Sequence, residues 1–152
     1  MSNLETLMRV HARAAHHDFY RDGHLWSPLW LIENKEGQRL LLATPMDKDA
    51  SREAYAEMVR KAIKQFRGVR YAYAMETWYL QIEEGQPMVR PSTSPNRKEG
   101  ILIAGEDIDG EQRVVRYEIK RHGDRKPTLG KAEFDQEFSG TFADMFSVGP
   151  YL

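Results

Sequence analysis

Three glutamates stand where the surrounding pattern leaves little room for charge: Glu76, Glu99 and Glu106. Glu76 opens Glu76-Thr77-Trp78 inside a strand-like run over 69–82, and Glu106-Asp107 closes a second run over 100–108. Glu99 ends the polar stretch between them, Pro91-Ser92-Thr93-Ser94-Pro95-Asn96-Arg97-Lys98-Glu99. A carboxylate on an apolar strand face must be paired, hydrogen-bonded or protonated to offset its lost hydration. If the three converge, they raise one another's pKa and can act as an acid/base pair or hold Mg²⁺ or Mn²⁺. The competing reading is structural and is favoured: Glu76 pairs with Arg97, or with Arg70, and so pins the long loop. Trp78, Arg97 and Lys98 beside these carboxylates are the candidate binding residues.

Other constellations carry less. Asp107 with Glu118-Ile119-Lys120 resembles the acidic and Asp/Glu-x-Lys elements of a metal-dependent nuclease. A two-residue turn at Asp109-Gly110 would set Asp107 opposite Gln112 and leave Glu118 about 20 Å away, too far for one metal. Asp107, Asp109, Glu111 and Glu118 also match four positions of a calcium loop, but Gln112 stands where glycine is required. The five histidines, His11, His16, His17, His24 and His122, show no spacing that sets two imidazoles on one helix face. His11 reads as a satisfied core residue. There is no Gly-rich phosphate loop and no nucleophile elbow, so no cofactor or metal is expected. Tyr71, Tyr73 and Tyr79 alternate in one strand and read as sheet packing rather than a stacking platform. The basic side chains Arg60, Lys61, Lys64 and Arg67 read as favourable pairing with the negative end of their helix, and Lys120, Arg121, His122, Arg125 and Lys126 as a second basic cluster near a loop. A phosphate groove between the two is the minority reading.

The elements that would position these residues follow from periodicity and turn chemistry. Ser2 with Glu5 fits a capping box, and Leu4, Leu7, Met8, His11, Ala15 and Phe19 form one helical stripe that Gly23 ends. Leu29-Trp30-Leu31-Ile32 and Leu40-Leu41-Leu42-Ala43 flank Asn34-Lys35-Glu36-Gly37 as a β-hairpin, and their unbroken apolar runs predict that both faces are covered. A second helix over 50–67 is capped by Asp49 or Ser51 and closed by Gly68. In the next strand Ala72, Ala74, Glu76 and Trp78 share a face, and the small alanines predict close approach of a helix. Asp109-Gly110 predicts a hairpin into a strand over 113–121. A turn or loop at 123–127, a strand ending at Phe138 and a short helix over 141–146 complete the chain. The order predicts an α+β domain: a mostly antiparallel sheet of five to six strands with two main helices packed on it.

At 152 residues, 41% hydrophobic and 30% charged, the chain reads as one globular domain. The net charge of -1 supplies no global field for nucleic acid or membrane, and neither is an expected partner. No cysteine is present, which excludes disulfides and thiolate metal sites. The N-terminus lacks the signature of a signal peptide and no apolar run is long enough to span a membrane, so a cytoplasmic location is expected.

The Glu-x-Trp at 76–78, the Pro-x-Arg-x-Glu at 95–99 and the following Leu102-Ile103-Ala104-Gly105-Glu106-Asp107 together resemble a group of small uncharacterised proteins. These occur in bacterial, plasmid and phage genomes. The resemblance covers about a third of the chain and implies a prokaryotic or phage setting, with no activity attached. The expected function is a non-enzymatic interaction or regulatory module whose partner is a protein, with a homodimer through a sheet edge or the apolar tail at 148–152 as a further expectation. The alternative is a hydrolase-like enzyme with a carboxylate site at Glu76, Glu99 and Glu106.

Overall fold

The computed structural model describes residues 1–25, 28–43, 52–79, 97–135 and 145–146. Six strands form a single antiparallel sheet: β1 (Leu29–Asn34), β2 (Arg39–Ala43), β3 (Gly68–Tyr79), β4 (Lys98–Asp107), β5 (Gln112–His122) and β6 (Arg125–Asp135). Their order across the sheet is β2-β1-β3-β4-β5-β6. Helices α1 (Asn3–Asp22) and α2 (Arg52–Phe66) complete the α+β fold. They lie on opposite faces, so the central strands are apolar on both sides.

Side-chain alternation sets the two layers. The first core gathers Leu4, Leu7, Ala15 and Phe19 of α1 with Leu31, Ala72, Ala74, Ile101 and Ile103 of the sheet. The alanines do lie beneath a helix, as their size predicts. Gly105 continues that close approach: a Cβ there would come within 2.9 Å of Leu4 Cδ1 and 2.8 Å of the Tyr71 carbonyl. The second core joins Val59 and Ile63 of α2 to Trp30, Ile32, Tyr71 and Tyr73. Tyr71 and Tyr73 are buried against Trp30, with ring centroids 5.6 and 4.7 Å away, which leaves neither open for stacking on a ligand.

The N-terminus of α1 is held by Ser2, whose Oγ accepts from the Glu5 N–H at 3.1 Å and donates to Glu111 Oε2 at 2.8 Å. Glu5 itself pairs with Arg113 at 2.7 Å, which ties the helix to the β4–β5 hairpin. Arg113 also bonds Glu111, and this contact is the main reason the Glu111 carboxyl lies below its ordinary pKa.

Four expectations need correction. Gly68 does not close α2 by taking a left-handed conformation; Arg67 does so, with φ 58°. Gly68 is already in β3 and is packed too tightly for a side chain, since a Cβ would lie 2.6 Å from Ile32 Cγ2. The turn at 108–110 is three residues rather than two, with Gly110 at φ 102° and Glu106, not Asp107, opposite Gln112. That single residue puts Gln112 and Glu118 on the opposite face of the sheet from Asp107. The turn or loop expected at 123–127 is a tight turn at 123–124 only, since His122 already faces Arg125. Pro127 misled that reading, although a strand at the sheet edge tolerates proline. Finally, β2 is an edge strand and largely exposed, not covered on both faces. The helix expected over 141–146 lies outside the described residues except for Met145 and Phe146, which pack on the α2 side. The expected caps of the second helix, Asp49 or Ser51, also lie outside them.

Candidate functional site

Register decides which of the sequence candidates meet. Trp78 pairs with Glu99 and Glu76 with Ile101, so Glu76, Trp78 and Glu99 share the face that carries α1. Glu76 is only partly buried, its side chain 29% exposed. Its Oε1 accepts the Leu25 N–H at 2.8 Å and lies 3.9 Å from His24 Nδ1. The carboxylate therefore anchors the chain as it leaves α1 for β1. The expected pairing with Arg97 is not formed: the Arg97 guanidinium lies over the Trp78 ring, 4.1 Å from its centroid. Arg70 is engaged elsewhere, by Glu33 and Asp107. A backbone N–H satisfies Glu76 where a cation was expected.

Glu99 accepts from Arg121 Nε at 2.6 Å. This bond holds the Arg121 pKa above its ordinary value against the opposing effect of burial, and the fields of Glu99 and Glu76 add to it. Glu106 is elsewhere. It pairs with Tyr71, points to the α2 face and accepts from Gln112 Nε2 at 2.5 Å. Five residues separate it from the Ile101 level of Glu76, roughly 17 Å along the strand. The three carboxylates thus do not converge, because strand alternation sends Glu106 through the sheet. Among the described residues no group of three or more histidine and acidic side chains is placed to hold a metal ion.

Lys98 pairs across from Tyr79, on the opposite face from Trp78, with its Nζ 3.9 Å from Glu118. Of the candidate binding residues, the structure unites Trp78 and Arg97 and separates Lys98 from them. Trp78 is 46% exposed, a large indole half in solvent with a cation on its face. Glu99–Arg121 and His24–Glu76 surround it with charged groups. Alongside, a shallow groove of about 280 Å³ runs between the end of α1 and the β5–β6 turn, lined by Phe19, Tyr20, His24, Arg121, Lys126 and Pro127. This end of the sheet offers aromatic area, cations and anions together, the composition of a recognition surface.

A second constellation is assembled by strand order. Arg39, Glu33, Arg70 and Asp107 are direct register partners on four successive strands. Arg39 Nε donates to Glu33 Oε2 at 2.8 Å, Arg70 Nη1 to Glu33 Oε1 at 2.5 Å and Arg70 Nε to Asp107 Oδ2 at 2.9 Å. Burial opposes the charge of Arg70, but its bonds to Asp107 and Glu33 outweigh this and raise its pKa. The only signal was the placement of Glu33 and Arg39 on either side of a predicted turn; the long-range partners depend on strand order.

No family model matches the chain, and neither the curated proteins nor the solved structures contain a match to it. Among the described residues no helix is long and apolar enough to cross a membrane.

Proposed function

We propose that the chain is a non-enzymatic interaction module that binds a protein partner through the surface centred on Trp78 and Arg97, in the cytoplasm of a prokaryotic or phage-infected cell. One observation carries the reading: a half-exposed indole capped by a guanidinium at 4.1 Å, at the end of the sheet where β3 finishes and β4 begins. Tryptophan and arginine are enriched among interface hot spots, where each brings a large contact area. Stacking holds the guanidinium over the ring before any partner arrives, which lowers the ordering cost of binding. The carboxylates that would support a hydrolase-like alternative are occupied separately: Glu76 by a backbone N–H, Glu99 by Arg121 and Glu106 by Gln112.

The test is affinity capture with the full chain beside Trp78→Ala and Arg97→Ala, each first shown to keep the wild-type unfolding midpoint. A stoichiometric partner bound by wild type is expected to weaken about thirtyfold or more with either variant, the size of a hot-spot truncation. A partner retained equally by both variants sinks the assignment of this surface. Hydrolytic turnover lost in Glu76→Gln or Glu99→Gln would instead establish the enzymatic alternative.

A further inference from the structure

The two edges of the sheet differ in a way that folding alone does not require. At β6 the edge is defended. Pro127 lacks an N–H, Lys126 and Lys131 are exposed, and the pairing with β5 has two register shifts. Proline, lysine and bulges are devices by which proteins block edge-to-edge association. The β2 edge has none of them. Its pairing with β1 runs from Leu29↔Ala43 to Glu33↔Arg39 without a shift, and the strand is Arg39-Leu40-Leu41-Leu42-Ala43. Its one charge, Arg39, is bound to Glu33. Leu41, beside Leu31 on the α1 face, is 62% exposed, and Leu40, beside Ile32 on the α2 face, is 37% exposed. Among the described residues β2 pairs only with β1, so alternate N–H and C=O groups along its outer side face away from the sheet.

We propose that β2 is a homodimer interface, joining two copies edge to edge in antiparallel fashion about a two-fold axis at Leu41. The strand is self-complementary in that register. Leu41 meets its own copy, Leu40 meets the partner's Leu42, and Arg39 meets the partner's Ala43, so no like charges oppose each other. Leucines on both faces extend both cores across the axis, and the two sheets become one of twelve strands. An isologous contact of this kind closes at two copies and leaves the defended β6 edges outermost. The surface is separate from that of Trp78, which lies beyond the end of β1 in the register of β3. This inference therefore stands or falls independently of the proposed function.

The absence of cysteine supplies the test. Directly opposed residues of antiparallel strands have Cα atoms about 4.5–5.5 Å apart, within disulfide range. Under mild oxidation Leu41→Cys is expected to crosslink to itself, while Phe134→Cys on the β6 edge, the more exposed of the two positions, stays monomeric. In parallel, analytical ultracentrifugation of wild type should show a concentration-dependent shift from 17.7 kDa to twice that mass. Leu41→Lys should remain at the lower mass with an unchanged circular dichroism spectrum, and Trp78→Ala should dimerise as wild type does. The proposal is overturned by a wild type that stays monomeric to about 0.1 mM, the weak end of specific association. It is equally overturned by crosslinking at Phe134→Cys instead of Leu41→Cys, or by a dimer that Leu41→Lys leaves intact.

Discussion

Two side chains that strand and helix patterning places towards the core, His11 and Glu76, are satisfied by backbone groups rather than by a charged partner. His11 is the clearest case: buried in the α1 core, it bonds the Leu29 carbonyl through Nε2 at 2.8 Å. Nε2 carries the proton it donates to this carbonyl in either charge state of the ring, and it is burial that favours the neutral one. Burial lowers its pKa below the ordinary 6.5, against the opposing effects of the Leu29 bond and Asp18. The unfolded chain then binds more protons than the folded one below pH 6.5, so this contribution is complete above that pH and is lost as pH falls. Urea unfolding at pH 7.5 and 5.5 should show wild type losing more stability on acidification than His11→Gln. Equal losses would mean that other groups carry the dependence. Glu76 follows the same logic. Because it serves the Leu25 N–H and no buried cation, Glu76→Gln should cost no more than about 0.5 kcal/mol. Glu76→Ala, which leaves that N–H without its acceptor, should cost about 1–2 kcal/mol. Denaturant midpoints check both, and a Gln variant as damaged as Ala would restore the ion-pair reading.

At the scale of elements, local rules made the helices and most strands legible. The stripe from Leu4 to Phe19 located α1 to within a residue, and the alanines of β3 announced the helix above them. What failed was any feature set by a distant neighbour. Gly68 looked like a helix stop because glycine so often takes that place, yet its size matters here, against Ile32 of another strand. Pro127 looked like a loop residue because the sequence could not say that its strand would be an edge. Glu76, Glu99 and Glu106 looked like one site because alternation along each strand was readable but the relative register was not. The α2–β3 junction turns this distinction into a measurement. Gly68→Ala should destabilise by about 1–3 kcal/mol, since Ile32 Cγ2 is fixed in a close-packed core. Arg67→Gly removes a left-handed non-glycine residue and should be neutral or stabilise by up to about 1 kcal/mol. A reversed order of the two midpoints would return the stop role to Gly68.

For the molecule as a whole, the row Arg39–Glu33–Arg70–Asp107 locks four of the six strands into one register. Its charges alternate in sign, so a one-residue slip of any strand would move its charge to the other face and strand its neighbour. The central arginine should therefore matter out of proportion to any single bond. Its side chain is 14% exposed, and those of Glu33 and Asp107 are 10% and 11% exposed. Arg70→Met removes the cation between two carboxylates that remain buried, and breaking a buried pair in this way costs about 3–5 kcal/mol. If the cost comes from the stranded carboxylates and not from lost side-chain volume, neutralising them must recover stability. Arg70→Met combined with Glu33→Gln and Asp107→Asn should then be more stable than Arg70→Met alone, a non-additivity expected of groups acting as one network. Urea unfolding of the series measures it directly. A triple variant weaker than the single one would show that the three side chains contribute separately, and that register is set by the apolar cores on either face of the sheet.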